Sequence, residues 1–310
     1  MMYVGIDVGG TSIKYGLVDE HAQVFEKGAV ATPKDKPAFL AALTAIIQNY
    51  QQAHPIAGVG ISAPGIIQKD GLMTTAGALY ALYGTNLKDE IEARTQLPTV
   101  IENDANAAAI AEKWVGNAQE LDNYLCIVLG TGVGGGIVIN GQVYRGARGM
   151  AGEFGWAIVN DLTAEENIET SSLNWRISVV GGLCRSYNHA LQATTSTLEP
   201  IKDAREIFQR SQQNDELAKQ ILQDFYQNLA IGMLNLISQF DPEAILIGGG
   251  ISANEQFWTE FTQVLQTMED RHDSIRFMKN YGWAPVIPAK LKNDAGIIGA
   301  VYPLSVAKQH

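Results

Sequence analysis

The sequence predicts an α/β protein built from two related halves, and three observations carry that prediction. The opening stretch "YVGIDVGGTSIKYGLVD" reads as strand, glycine turn, strand. The same design returns as "YLCIVLGTGVGGGIVIN" from Tyr124, again with Gly and Thr in the turn. Between and after these hairpins, short apolar strands alternate with segments of helical periodicity, the grammar of α/β units.

The elements follow in order. Strands are expected over Tyr3–Val8 and Ser12–Val18, with a third near residues 23–31. A helix is expected over 36–52, where Phe39, Leu40, Leu43, Ile46 and Ile47 recur at helical spacing. "GVGISAPG" reads as a buried strand from Val59 to Ala63, closed by Pro64-Gly65. A short helix near 87–95 leads to the strand "PTVIEND" and the Ala-rich helix "ANAAAIAEKWVG", which stops at Gly116. In the second half, "DELAKQILQDFYQNLAIGMLNLISQF" reads as a long helix. "AILIGGGIS" is a strand running into three glycines. "DAGIIGAVYPLSVA" has helical spacing and small residues that permit close packing. The polar stretch "NDLTAEENIETSS" is expected to be a mobile loop.

Composition bounds the function. The 310 residues carry 22 basic and 33 acidic side chains, a net charge of -11, which argues against a nucleic-acid partner and against docking on an anionic membrane. No apolar run approaches a membrane span. No basic region followed by an apolar stretch precedes the first strand, so no signal peptide is expected. Cys126 and Cys184 are far apart and form no CxxC, the usage of buried reduced thiols in a cytoplasmic protein.

Three glycine turns each follow an apolar strand. Any one of them is an ordinary turn by default. "GTGVGG" matches GxGxxG by letters, but a strand follows it, so the dinucleotide reading fails its structural requirement. Backbone amides in such turns can converge on anionic oxygens because no Cβ blocks the approach. Asn103 and Asp104, in "IENDANAAA", stand at a strand end and a helix start. They read either as a helix cap or as a carboxylate held ionised there, able to take a proton during phosphoryl transfer. Glu153, in "RGMAGEFGW", is either a solvated loop acid or a ligand contact made accessible by its glycines.

"DVGGTSIK", "ISAPG", "ENDANAAA", "LGTGVGGGI", "AGEFG" and "ILIGGGIS" occur in the order and spacing of the ROK family of sugar kinases and sugar-responsive repressors. The chain resembles that family from Tyr3 to about Leu304. The resemblance implies two actin-like (ribonuclease H-like) α/β lobes with an interdomain cleft. One lobe would span 1–117 plus 295–310, the other 118–294. It implies ATP and Mg²⁺ as co-substrate and cation. Gly9, Gly10 and Thr11 would meet the terminal phosphates, with Asp7 facing the cation and Lys14 on the motif's lysine. Gly130, Thr131, Gly132 and Gly134 would form a second phosphate loop, and Gly248, Gly249 and Gly250 would lie by the adenosine. Asp104 would be the catalytic base. Gly65, Asn103, Asp104, Glu153 and Glu169 would contact the sugar. A homodimer is also implied.

The resemblance has one departure. Family members usually read Gly-Glu-x-Gly-His, followed by a cysteine cluster, and that set binds structural zinc. Here Trp156 stands in place of the His, and no cysteine lies between 127 and 183. No zinc is therefore expected. The zinc-free pattern looks most like the β-glucoside kinase branch, which implies a 6-hydroxyl acceptor on glucose or a β-glucoside such as cellobiose. Kinases of N-acetylmannosamine or another hexose are the alternative. A non-catalytic sensor, or a regulator lacking its DNA-binding domain, is the alternative of another class. Trp156 either stacks on an attached second sugar or packs in the core in place of the metal.

Overall fold

The computed structural model describes residues 1–162, 167–194 and 199–306. The chain forms two compact units, one of residues 1–122, 136–151 and 293–310, the other of 123–135 and 152–292.

In the first unit, β1 (Met2–Val8), β2 (Ser12–Asp19) and β3 (Val24–Ala31) form an antiparallel meander. Helix α1 (Lys36–Ala53) is capped by the Asp35 carboxylate, which accepts from the Ala38 amide at 2.9 Å. Its buried face is Phe39, Leu40, Leu43, Ile46, Ile47 and Tyr50. Strand β4 (Ile56–Ala63) begins three residues before the expected start at Val59, because it pairs along β1 from Met2 onward. A short hairpin, β5 (Leu72–Met73) with β6 (Thr85–Asn86), precedes α2 (Leu87–Thr95). Strand β7 (Thr99–Asn103) runs into α3 (Asp104–Val115), which ends at Gly116. The sheet order is β3-β2-β1-β4-β7.

The second sheet repeats this order with β8 (Tyr124–Leu129), β9 (Val133–Ile139), β10 (Gln142–Val143), β11 (Ala244–Gly248) and β12 (Val286–Pro288), arranged β10-β9-β8-β11-β12. As in the first, a hairpin is extended by parallel strands: β11 pairs parallel with β8 and β12.

Helices α4 (Leu173–Ile177), α5 (Arg185–Thr194), α6 (Ala204–Gln212), α7 (Glu216–Phe240), α8 (Glu255–Arg271) and α9 (Asp273–Met278) belong to the second unit. A π-helical segment, Val179–Cys184, joins α4 to α5. The last helix, α10 (Ala295–Val306), returns to the first unit. Its small residues let it lie against backbone: a Cβ on Gly299 would meet the Ala107 carbonyl, and one on Gly60 would meet that of Ala300.

The polar stretch expected to be mobile is anchored at both flanks. The Val159 amide donates to Ser171 O at 3.0 Å, and the Leu173 amide to Ala157 O at 2.7 Å. Residues 163–166 of that stretch lie outside the described residues.

Candidate active site

Asp7 sits near the end of β1, in register with Ser62 on β4 and Lys14 on β2. The Ser62 hydroxyl, fully buried, donates to Asp7 Oδ1 at 2.7 Å. A Cβ on Gly296, at the start of α10, would lie 2.6 Å from the same oxygen. Burial pushes the Asp7 carboxyl above its ordinary value, while Ser62 and Lys14 pull it back. Lys14 donates to Asn293 Oδ1 at 3.2 Å.

The turn after β1 closes with the Gly9 amide donating to Ser12 O at 2.9 Å. Its carbonyls are all engaged. Thr32 Oγ1 donates to Gly9 O at 2.7 Å, the Thr32 amide to Thr11 O at 3.0 Å, and Lys34 Nζ to Gly10 O at 2.6 Å. The amides of Gly10 and Thr11 find no acceptor among the described residues.

Asn103 is the cap of α3, as one of its two sequence readings had it. Its Oδ1 accepts from the amides of Ala105 and Asn106 at 3.0 and 3.1 Å. Its Nδ2 donates to Gly65 O at 2.9 Å. Gly65 has φ +97°, and a Cβ there would stand 2.4 Å from Thr75 O, so this residue must be glycine to present its carbonyl. Asp104 is the first residue of the helix, and its Oδ1 accepts from the Ala105 amide at 2.8 Å. The cap and the acid are thus neighbours on one rigid turn.

In the second unit, the turn after β8 has the Gly130 amide donating to Gly132 O at 2.9 Å. Its carbonyls are held by the π-helical segment: the amides of Val179 and Val180 donate to Gly130 O, and that of Gly181 to Thr131 O. Asn174 Oδ1 accepts from the Val133 amide at 2.9 Å, just past Gly132. Thr131 and Gly132 keep their amides free of acceptors among the described residues. Gly134 lies within β9. Gly248 ends β11, and Gly249 has φ +91° with its Cβ position 2.1 Å from Leu129 O.

Space sorts these glycines by purpose. Gly9, Gly65 and Gly249 are fixed by backbone contact or a positive φ. Gly10, Gly130 and Gly250 are different. A Cβ on any of them would meet no atom within 4 Å, and none has a positive φ. Of the glycines whose surroundings are described, only these three combine both properties, and each comes from a different one of the three turns. Neither chain conformation nor packing requires glycine there, so open approach for a ligand is the remaining reason.

Glu153 is half-buried and precedes a 3₁₀ turn, Phe154–Trp156; burial raises its carboxyl. Glu169 is exposed, in the 3₁₀ turn Ile168–Ser171 that Asn167 caps. Trp156 is 57% exposed, which rules out the core-packing reading. Ile158 and Ile168 are exposed in the same stretches. Among the described residues, no group of three His, Cys, Asp or Glu is arranged to hold a metal ion. No helix among them is long and apolar enough to cross a membrane.

Sequence reasoning missed Ser62 and Gly296, the neighbours of Asp7. A serine inside an apolar strand was the available signal for the first. For the second, the small residues of "DAGIIGAVYPLSVA" signalled close packing but not its partner.

A β-glucoside kinase of Listeria monocytogenes is 36% identical over 304 residues, covering 97% of each chain. Another β-glucoside kinase, of Klebsiella pneumoniae, is 33% identical over 310 residues, covering 97% of this chain and 95% of the relative. The crystal structure of a ROK family glucokinase from Streptomyces griseus, in complex with glucose and AMPPNP, superposes with a TM-score of 0.82 at 29% identity over the whole of both chains. The ROK family description matches residues 3–306, and this chain belongs to the ROK family.

Proposed function

We propose that the chain is an ATP-dependent carbohydrate kinase. It moves the γ-phosphoryl of MgATP to the 6-hydroxyl of a glucose-type ring, with β-glucosides such as cellobiose among its acceptors. The observation that carries this reading is the Asn103–Asp104 turn: an acid on the first residue of a helix, beside an amide side chain held by three hydrogen bonds. Curated relatives above 30% identity named β-glucoside kinase support the acceptor class.

The residues present fit MgATP. Anionic phosphates need amide donors and room. The turns at Gly10 and Gly130 offer amides that find no acceptor among the described residues, and space where a Cβ would stand. Asp7 would face the cation, which neutralises charge on the phosphates when bound. Gly250, also open, would lie by the nucleoside.

In the reaction, Asp104 takes the proton of the acceptor hydroxyl as its oxygen bonds to the γ-phosphorus. The bond from that phosphorus to the bridging oxygen breaks, and ADP leaves with the electron pair. Positioning and charge neutralisation supply most of the barrier reduction. Asn103 and Gly65 would orient the ring, with Glu153 and Glu169 as further ring contacts. Trp156 is mostly exposed, and a second sugar or aglycone could stack on it.

The decisive experiment measures ADP release across glucose, cellobiose, N-acetylmannosamine and fructose. The highest kcat/KM should fall on a glucoside. Exclusive turnover of N-acetylmannosamine would remove the glucoside reading and leave the kinase. No sugar-dependent ADP release would leave the sensor reading. The same proposal includes a homodimer without structural zinc. Sedimentation should give twice the chain mass, and metal analysis should find no stoichiometric zinc.

A further inference from the structure

The turn that carries Asn103 and Asp104 is preceded by an acid that none of the assignments above uses. Glu102 is 5% exposed. Its Oε1 accepts from the Asn103 amide at 3.0 Å and from Asn106 Nδ2 at 3.2 Å. Its Oε2 accepts from Arg145 Nη2 in an ion pair. A charge this deep is costly unless paired and hydrogen-bonded, and Glu102 meets both conditions. Both of its oxygens serve the same end of the sheet: one fixes the start of α3, the other reaches 43 residues along the chain.

Asp7, Ser62 and Glu102 stand in one register row across β1, β4 and β7. Two carboxylates therefore occupy one row of a sheet. Glu102 has its own cation in Arg145. Among the described residues Asp7 has only a hydroxyl donor at hydrogen-bond distance, with Lys14 acting on it less strongly. That division leaves Asp7 to a ligand's cation and gives Glu102 to structure.

Arg145 also belongs to a stretch closely tied to this unit. The Ala151 amide donates to Arg145 O at 3.2 Å, and Gln68 Nε2 donates to Arg148 O at 3.2 Å. A Cβ on Gly149 would lie 3.0 Å from Ile67 O. Ile67 and Gln68 follow Gly65, whose carbonyl holds Asn103. Asn103 is thus held from both sides by segments that meet the stretch 145–149: Glu102 at Arg145, and Ile67 and Gln68 at Gly149 and Arg148.

We propose that Glu102 and Arg145 are positioning residues: their ion pair sets the orientation of Asn103 and Asp104 and locks that turn to the 145–151 segment. The inference rests on the kinase reading, in which Asn103 and Asp104 meet the sugar. Misplacement of reacting groups by about 1 Å can cost ~10²-fold in rate. A loosened pair should therefore act on sugar handling and leave nucleotide handling alone.

The test uses Glu102→Gln, Arg145→Gln, Arg145→Lys and the double Gln variant, each with steady-state kinetics, calorimetric sugar binding without nucleotide, and a thermal midpoint. Each single Gln variant should lose roughly 10- to 100-fold in kcat/KM for the sugar, with weaker sugar binding and KM for MgATP within about twofold. Arg145→Lys should recover part of the loss. The double variant, which leaves no unpaired charge, should be no worse than the poorer single. A merely stabilising pair would lower the midpoint and the active fraction while sugar KM and sugar affinity stayed normal; that result overturns the proposal. So does an equal change in KM for MgATP. Wild-type protein that releases no ADP with any sugar sinks the kinase reading and this inference with it. Active wild type with variants of normal sugar KM sinks this inference alone.

Discussion

The turn between β1 and β2 is held from outside mainly by side chains, and the one between β8 and β9 mainly by backbone. Thr32 and Lys34, just past β3 of the same meander, grip the carbonyls of the first. The carbonyls of the second are gripped by amides of the π-helical segment some 50 residues on, at Val179, Val180 and Gly181. Both arrangements engage the turn's carbonyls and leave two amides without an acceptor among the described residues. The first also carries an acid, Asp7, two residues before its glycine pair; the matching place before Gly130 is Val128. The contrast teaches that the amide cradle is the shared device and that only the first copy carries an acid beside it.

In the proposed kinase both turns would hold phosphate and neither would take the proton. Asp104→Asn should therefore give the largest effect, a fall in kcat of about 10²–10⁴-fold, with nucleotide affinity nearly unchanged. Near-normal turnover would reduce Asp104 to a helix-start residue and place the base elsewhere.

Next come Gly10→Val and Gly130→Val. A Cβ at either position would meet no atom within 4 Å, so folding should survive. Each should cost about 10²-fold in kcat/KM for MgATP, on the scale of losing a preorganised amide donor. Glu153→Gln should instead move sugar KM. Equal shifts of one constant by both kinds of variant would break the two-site assignment.

Asp7→Asn should split activity from stability. Burial raises the Asp7 carboxyl, so the folded chain binds this proton more tightly than the unfolded chain. Between the unfolded value and the raised folded value, stability falls as pH rises, and above that window the ionised acid stays a burden. The amide removes the burden and keeps an acceptor for Ser62. We expect a higher melting temperature at neutral pH, a flatter profile through that window, and weaker Mg²⁺-dependent turnover. A lower melting temperature at neutral pH would mean that Asp7 is held by attraction rather than tolerated.

The smallest effects test the backing. Thr32→Val and Asn174→Ala each remove one hydrogen bond beside a turn and should cost about 0.5–1.5 kcal/mol in denaturant unfolding. Only Asn174→Ala should also loosen protection of the Val133 amide in hydrogen exchange, since that amide donates to the lost oxygen.

What the sequence showed was what local chemistry decides. The hairpins, helix Leu87–Thr95 and the stop at Gly116 follow from alternation, caps and glycine. Asn103 and Asp104 stood out because a cap-forming pair met a strand end. The π-helical segment "VVGGLC" was not legible, since its amides are satisfied by Gly130 and Thr131 rather than within the segment alone. Glu102 lay inside a motif that drew notice, yet its role depends on Arg145, and that pairing has no local spacing. Trp156 offered two readings until its exposure removed one.

Helix α10 has a consequence for how this protein is made. Tyr3 and Val18 share a small core with Ile297 and Val301, and the Tyr3 hydroxyl reaches Leu304 O, 301 residues away. On a ribosome adding ~5–20 residues per second, on the order of 10–40 s separates the end of the first 122 residues from this helix. Through that interval the nascent first unit has a bare groove lined by Gly5, Gly58 and Gly60, the surfaces that α10 later covers. Synthesis stalled or cut short before residue 295 would leave that groove permanently open and sticky, a natural target for chaperones and proteases.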